Sequence, residues 1–190
     1  MERMFDYFQK YHDLTDIARN FLEHQGRIKY FEKNSYYKFP AQSIEKWNFV
    51  IKGAVAVINF TTKKEIIERL YTVNSYFSGT KHPFSKTTLP YTIKFLRTTI
   101  IYEISNSNFQ LAVNQFPDVK NIYLILKQQE LNYYQSLIRI LRSPNLYKIK
   151  QLAELQPILY RLLTINEKMS YLRIANYNEY YKALYYHLKN

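Results

Sequence analysis

The sequence contains no cysteine. That absence excludes a disulfide scaffold, a thiolate zinc site, a cysteine-ligated iron–sulfur cluster and a cysteine nucleophile, and it fits a reducing compartment. Glycine and proline are nearly as scarce, with 3 and 6 residues in a chain of 190, which excludes collagen-like and linker-like chains. Long hydrophobic runs are missing too. The longest apolar stretch, residues 48–60, is interrupted by Lys52 and falls short of the roughly 20 residues that span a bilayer. The amino-terminal segment carries Glu2, Asp6, Lys10 and Asp13 where a secretory signal is apolar. These features predict a soluble, cytoplasmic protein with no membrane partner. Acidic residues are in short supply: 15 Asp and Glu stand against 27 Lys and Arg, a net charge of +12. Such a charge points to a polyanion, either nucleic acid or anionic membrane.

What is present is a globular composition. The apolar fraction of 47% and the aromatic fraction of 17% are too high for a disordered chain, and a chain of this length buries roughly 70% of its unfolded surface. Twenty tyrosines against one tryptophan invite a base-stacking interpretation. Tyr, Lys, Ile and Asn all have A/T-rich codons, however, so the number of tyrosines carries no functional weight.

Residues 1–27 read as helical, with Phe5, Phe8, Leu14, Ile17, Ala18, Phe21 and Leu22 on helical spacings and no breaker before Gly26. From residue 28 to about 104 the pattern changes to short β-branched strands: 46–51, 54–60 after Gly53, 65–71 after a polar turn at 61–64, 92–96 and 99–104. Their close spacing predicts an antiparallel barrel or sandwich. Residues 78–88 form a polar loop with Gly79, Pro83 and no acid. Long loops inside a compact domain are more often functional than idle, but one glycine is weak evidence for a phosphate cradle.

After Phe116-Pro117, Asp118 is placed to cap a helix of about 25 residues, roughly 38 Å long. One apolar set on it comprises Val119, Ile122, Leu126, Tyr133, Leu137 and Ile140; a second comprises Tyr123, Leu124, Ile125, Leu131, Tyr134, Ile138 and Leu141. Two sets imply two covered sides, one against the β domain and one against a partner helix. The first set is the expected homodimer interface; an ordinary core helix packed on both sides is the plainer alternative. Residues 145–190 read as a helical tail with seven Lys or Arg against three Glu.

The order of these parts resembles the superfamily of the cyclic-AMP receptor protein and the fumarate–nitrate reductase regulator. The best local match is Phe49-Val50-Ile51-Lys52-Gly53-Ala54-Val55-Ala56-Val57, similar to the family's strand–Lys–Gly–strand hairpin. It is followed by Glu68-Arg69-Leu70, by the strand ending Tyr102-Glu103-Ile104-Ser105, and by Asn108-Phe109-Gln110-Leu111 before Phe116-Pro117. The resemblance implies an α+β chain: an antiparallel β-barrel of the double-stranded β-helix type as sensor (1–117), a dimerisation helix (118–142) and a small winged-helix-like, helix-turn-helix domain (143–190). It places an effector site around Gly79, Thr80, Lys81, His82, Ser85 and Tyr91.

Two departures stand out. Cyclic-nucleotide-binding members carry a Gly-Glu pair for the ribose hydroxyl and an arginine for the cyclic phosphate. Here Gly79 is followed by Thr80-Lys81-His82, and the later site reads Leu89-Pro90-Tyr91-Thr92. Losing a charge-assisted partner costs about 1.5–3 kcal/mol per bond, and Lys81 is a poor substitute for an arginine fork. The expectation is a divergent member that has lost cyclic-AMP recognition and uses no cofactor. In the tail, residues 172–178 are expected as the first helix and turn, with Asn178 in the family's turn-glycine position because Asn tolerates a left-handed backbone. A recognition helix follows from Tyr180, with Leu184 and Leu188 inward and with Arg173, Tyr180, Tyr181, Lys182, Tyr185, Tyr186 and Lys189 as DNA contacts.

Catalysis is not expected. His12, His24, His82 and His187 are far apart in sequence, and no HExxH, GxSxG or GxxxxGK[ST] motif occurs. The reading that results is a DNA-binding transcriptional regulator acting as a homodimer, with RNA polymerase as a further partner. The alternative is a ligand- or protein-binding module that no longer reads DNA.

Overall fold

The computed structural model describes residues 1–40, 42–60 and 64–189. The turn expected at 61–64 therefore lies outside the described residues, apart from Lys64. In chain order the elements are α1 (Glu2–Gln9), α2 (Asp16–Gln25), β1 (Gly26–Phe31), β2 (Tyr36–Lys38), β3 (Lys46–Lys52), β4 (Ala54–Phe60), β5 (Glu65–Thr72), β6 (Tyr76–Ser78), β7 (Thr92–Phe95), β8 (Thr99–Ser105), α3 (Asn106–Gln115), α4 (Pro117–Arg142), α5 (Asn145–Leu155), α6 (Pro157–Leu162), α7 (Ile165–Leu172) and α8 (Tyr177–Lys189). They group into two compact units, residues 1–58 with 70–128 and residues 59–69 with 129–190. The expected division at 117/118 and 142/143 sets α4 apart, whereas by contacts α4 contributes residues to both units.

In the first unit, β3 and β8 are buried on both faces. Trp47, Phe49, Ile51, Tyr102 and Ile104 join one buried cluster, while Val50 and Ile101 join another. Alternation on a pleated strand sends successive side chains to opposite faces, so these strands must be covered on both sides. The strands form two four-stranded sheets, ordered β1-β8-β3-β6 and β2-β7-β4-β5, the antiparallel β arrangement expected from the strand spacing. The β1–β8, β3–β8, β3–β6, β2–β7 and β4–β7 pairings are antiparallel. Gly53 makes the β3–β4 turn possible. Its φ is +100, and a Cβ there would press into Thr99 and the Thr98 carbonyl, so no other residue fits without strain.

The outer cluster is built by Met4, Phe5, Phe8, Ala18, Leu22, Phe109, Ala112, Val113, Val119, Ile122 and Leu126 from the helices, packed on Trp47, Phe49 and Tyr102. The single helix expected over 1–27 is broken at residues 10–15. Thr15 caps α2 through Ala18 N at 3.4 Å, and its own N–H and hydroxyl donate to Asp118 Oδ2 at 2.7 and 2.9 Å. A partner 103 residues away thus fixes the break. Asp118 is not the cap of α4, which begins at Pro117; it lies in the first turn, where its Oδ1 accepts from Val119 N. Burial works against the Asp118 carboxylate, but these donors outweigh it and hold its pKa below the usual value.

The second unit is helical beyond α4. No strand occurs among the described residues of 143–189, so the wing expected there is missing and only the helices remain. Ile149, Leu152, Leu159, Leu163, Tyr171, Leu172, Ile174, Tyr180 and Ala183 are buried. The edge of β5 belongs to this unit: Ser170 Oγ donates to the Glu65 carbonyl at 2.9 Å and accepts from Ile67 N at 3.0 Å. No helix among the described residues is long and apolar enough to cross a membrane.

Candidate nucleic-acid interface and sensor interior

Local sequence fixes the α7–α8 pair. Thr164 and Glu167 form a reciprocal capping box at the start of α7. The helix stops at Arg173, which adopts the left-handed conformation (φ 58, ψ 37). Ile174 N donates back to Met169 O at 3.0 Å while Ile174 is buried, the hydrogen bond and apolar contact of a Schellman stop. Asn176 then caps α8, its Oδ1 accepting from Glu179 N at 3.0 Å. Two helices joined by a four-residue turn result. This corrects the expected register: the left-handed position is Arg173, and Asn178 lies inside α8, which starts at Tyr177 rather than Tyr180.

The expected contact residues separate accordingly. Tyr181, Lys182, Tyr185 and Lys189 lie on the exposed face of α8, with the Lys189 ammonium 4.4 Å from the centre of the Tyr185 ring. Tyr186 is half-buried against Tyr147. Tyr180 is 1% exposed and is a core residue; Leu188, expected inward, is 72% exposed. The reason is the register: with the helix starting at 177, Tyr180, Ala183, Leu184 and His187 form the inner stripe. Arg173 is paired with Glu68 at 2.7 Å. Lys148, counted among the tail's basic residues, is buried, and its ammonium donates to the Leu172 carbonyl at 2.9 Å, closing α7. Burial pushes its pKa down. The basic surface is therefore smaller than the sequence count.

In the first unit the interior between the sheets is occupied by the protein's own side chains. Phe31 stacks on Phe95 at 4.1 Å, and Tyr37 meets both Phe77 and Phe95 edge-on. Beside these rings sits a buried carboxylate. Glu103, 3% exposed, receives Lys29 at 2.9 Å and Arg27 at 3.0 Å. The Tyr37 hydroxyl lies 3.1 Å from Glu103 Oε2 and 3.2 Å from Asn48 Oδ1. Burial alone pushes the Glu103 pKa up, but the hydrogen bonds and charges of Lys29 and Arg27, with Tyr37, more than reverse it, so the group ionises below the usual range. Its stabilising contribution is full above the unfolded carboxylate pKa and is lost as pH falls through the lower folded value. Glu103→Gln should lower the stability of this unit by about 2 kcal/mol near neutral pH, with the gap to wild type closing in acid; pH-dependent thermal melts measure it, and a pH-independent gap would contradict the assignment.

The expected effector residues do not converge. Gly79 is buried, where a Cβ would meet the Ile44 carbonyl. Thr80 is 1% exposed, and its hydroxyl is engaged by Ser78 at 2.9 Å, Asn106 at 3.0 Å and the His82 carbonyl at 2.9 Å. Lys81 and His82 are exposed. Ser85 Oγ accepts from Thr87 N, and Tyr91 packs on the interior cluster. Lys81 N and Leu89 N donate to the Thr87 and Gly79 carbonyls within the loop. Lys38, 0% exposed, donates to the carbonyls of Phe39 and Leu89 at 3.0 and 2.8 Å. The sequence reading assigned no role to Lys38, Tyr37, Asn48 or Glu103.

The expected dimer residues are covered within the chain. Val119, Ile122 and Leu126 belong to the first unit's core, and Leu137 and Ile140 are buried. The Tyr133 hydroxyl meets that of Tyr171 at 2.8 Å. From the second apolar set, Leu124, Leu131 and Ile138 are 55%, 50% and 48% exposed, seven residues apart.

Neither a protein-family model nor a curated protein sequence matches the chain. Solved structures do. A cyclic nucleotide-binding domain containing protein from Listeria monocytogenes EGD-e superposes with a TM-score of 0.69 at 14% identity, over 86% of this chain and 85% of that one. FixK2 from Bradyrhizobium japonicum gives 0.66 at 13%, over 84% and 83%. The sensor domain of the transcriptional regulator DNR from Pseudomonas aeruginosa gives 0.51 at 14%, over 62% and 83%. At these identities the likeness establishes the fold alone, an α+β arrangement.

Proposed function

We infer that the chain is a cytoplasmic, non-catalytic, DNA-binding transcriptional regulator. The observation that carries this is the α7–turn–α8 pair, whose second helix presents Tyr181, Lys182, Tyr185 and Lys189 outward while its other face is core. In a helix-turn-helix the second helix enters the major groove with its N-terminal residues nearest the bases. The division of labour follows the chain: a sensor through residue 117, a dimer helix over 118–142 and a DNA-binding segment over 143–190. Dimerisation is assigned to the strip Leu124, Leu131 and Ile138, a heptad repeat on one side of α4. A regulator seated beside a promoter acts on RNA polymerase, which completes the set of partners. The likeness to the sensor domain of a transcriptional regulator supports the same reading.

The effector of this sensor is not cyclic AMP. A cyclic phosphate brings a full charge between apolar sheets, which requires a dedicated cation and donors. The Thr80 hydroxyl is already engaged, Lys81 faces solvent, and Phe31, Tyr37, Phe77 and Phe95 fill the interior. One observation favours the alternative of a binding module without DNA: Arg173 and Lys148 are committed inside the unit, leaving Lys182 and Lys189 as the lysines on the exposed face of α8. Fluorescence anisotropy with the chain's own upstream region, repeated over a salt series, separates the two readings. The regulator reading predicts affinity falling by a log–log slope of about −0.9 per phosphate neutralised, unchanged by cyclic AMP. Salt-independent or absent binding favours the module.

A further inference from the structure

We propose that Asn178 is the residue through which this chain reads adenine in its operator, an inference that rests on the DNA-binding reading above. The first turn of α8 holds four polar side chains, and three are committed within the unit. Asn176 caps the helix and its Nδ2 donates to Glu179 Oε1 at 3.3 Å. Glu179 Oε2 accepts from Asn145 Nδ2 at 2.8 Å. The Tyr177 hydroxyl donates to Asn166 Oδ1. Asn178 is exposed and makes no side-chain hydrogen bond among the described residues. It stands on the same face as Tyr181, Lys182 and Tyr185, opposite the buried Tyr180 and Ala183.

The chemistry selects the base. A carboxamide presents one acceptor and two donors in a plane, and in the major groove adenine offers the complementary pair, the N7 acceptor and the N6 amino donor. Guanine is read best by an arginine fork, and α8 contains no arginine. Lys182, one turn further on, is a flexible point charge suited to a phosphate. Tyr181, three residues after Asn178 and 52% exposed, sets an aromatic edge where an adjoining thymine methyl can rest. The fixed position of the operator is therefore an A·T pair facing the start of α8.

Selection of the full-length chain against a random duplex library, in parallel with Asn178→Ala and Lys182→Ala, tests this. The wild type should fix an adenine in each half-site, and Asn178→Ala should lose that preference, binding the selected site about ten- to a hundred-fold more weakly. Lys182→Ala should weaken all sequences alike. Unchanged thermal transitions keep folding out of the comparison, since both side chains are exposed. Half-sites without a fixed adenine, or an adenine preference that survives in Asn178→Ala, overturn the assignment while leaving DNA binding intact. A wild type that selects no duplex at all overturns the DNA-binding reading and this inference with it.

Discussion

Glutamate at both Leu131 and Ile138 should turn the proposed dimer into a folded monomer, whereas a single glutamate at Leu126 should unfold the chain. The two outcomes follow from which side of α4 the rest of the chain covers. Leu131 and Ile138 are half exposed and one heptad apart, so in the proposed dimer a second copy related by a two-fold axis would meet them along one strip. Each substitution then occurs twice, and four carboxylates enter an apolar seam with no partner. An unpaired buried charge costs several kcal/mol, so dissociation should rise by at least about a thousand-fold, or roughly 4 kcal/mol. Leu126 is 3% exposed and packs with Phe8, Leu22, Trp47 and Phe109, so a carboxylate there has no route to water. Sedimentation and circular dichroism measure both effects. A wild type that is monomeric at tens of micromolar would remove the assignment of the strip.

Tyr180→Ala and Tyr181→Ala, adjacent in sequence, should fail in different ways. Tyr180 is 1% exposed in the core of α5–α8, with Ile149, Leu152, Leu172 and Ala183 also buried in that unit. Truncating a buried aromatic leaves a cavity and costs about 3–5 kcal/mol, a large share of the stability of so small a unit, and the helical tail should melt well below the wild-type temperature. Tyr181 is 52% exposed. Its truncation should move stability by no more than about 0.5 kcal/mol while weakening DNA binding. Thermal melts followed by anisotropy distinguish the pair. A Tyr181→Ala protein less stable than Tyr180→Ala would mean that the inward and outward faces of α8 are reversed.

β3, β4, β5, β7 and β8 were legible because short β-branched runs are a local signal, and the β3–β4 turn because Gly53 stands where only glycine fits; the short β2 and β6 carry no such run. The length of α4 was legible from its breakers, but its outward side was not. Both sides are apolar, and only long-range packing decides which becomes core. The break between α1 and α2 escaped because apolar spacing continues across it; the cause is Asp118, distant in sequence. The start of α8 was expected three residues too late because the left-handed stop of α7 is an arginine. The usable signals were Thr164 with Glu167 and Asn176 with Glu179, each a cap followed three residues later by a glutamate. The loop at 78–88 promised a site from composition alone, yet the Thr80 hydroxyl and the amides of Lys81 and Leu89 are spent on the fold itself.

In the proposed dimer, two copies place their α8 helices in successive major grooves. A hydroxyl-radical footprint of the full chain on its own upstream DNA tests that directly. Two protected patches are expected on one face of the duplex, centred one helical turn apart, about 10 base pairs or 34 Å. A single patch, patches on opposite faces, or uniform protection along the fragment would contradict it.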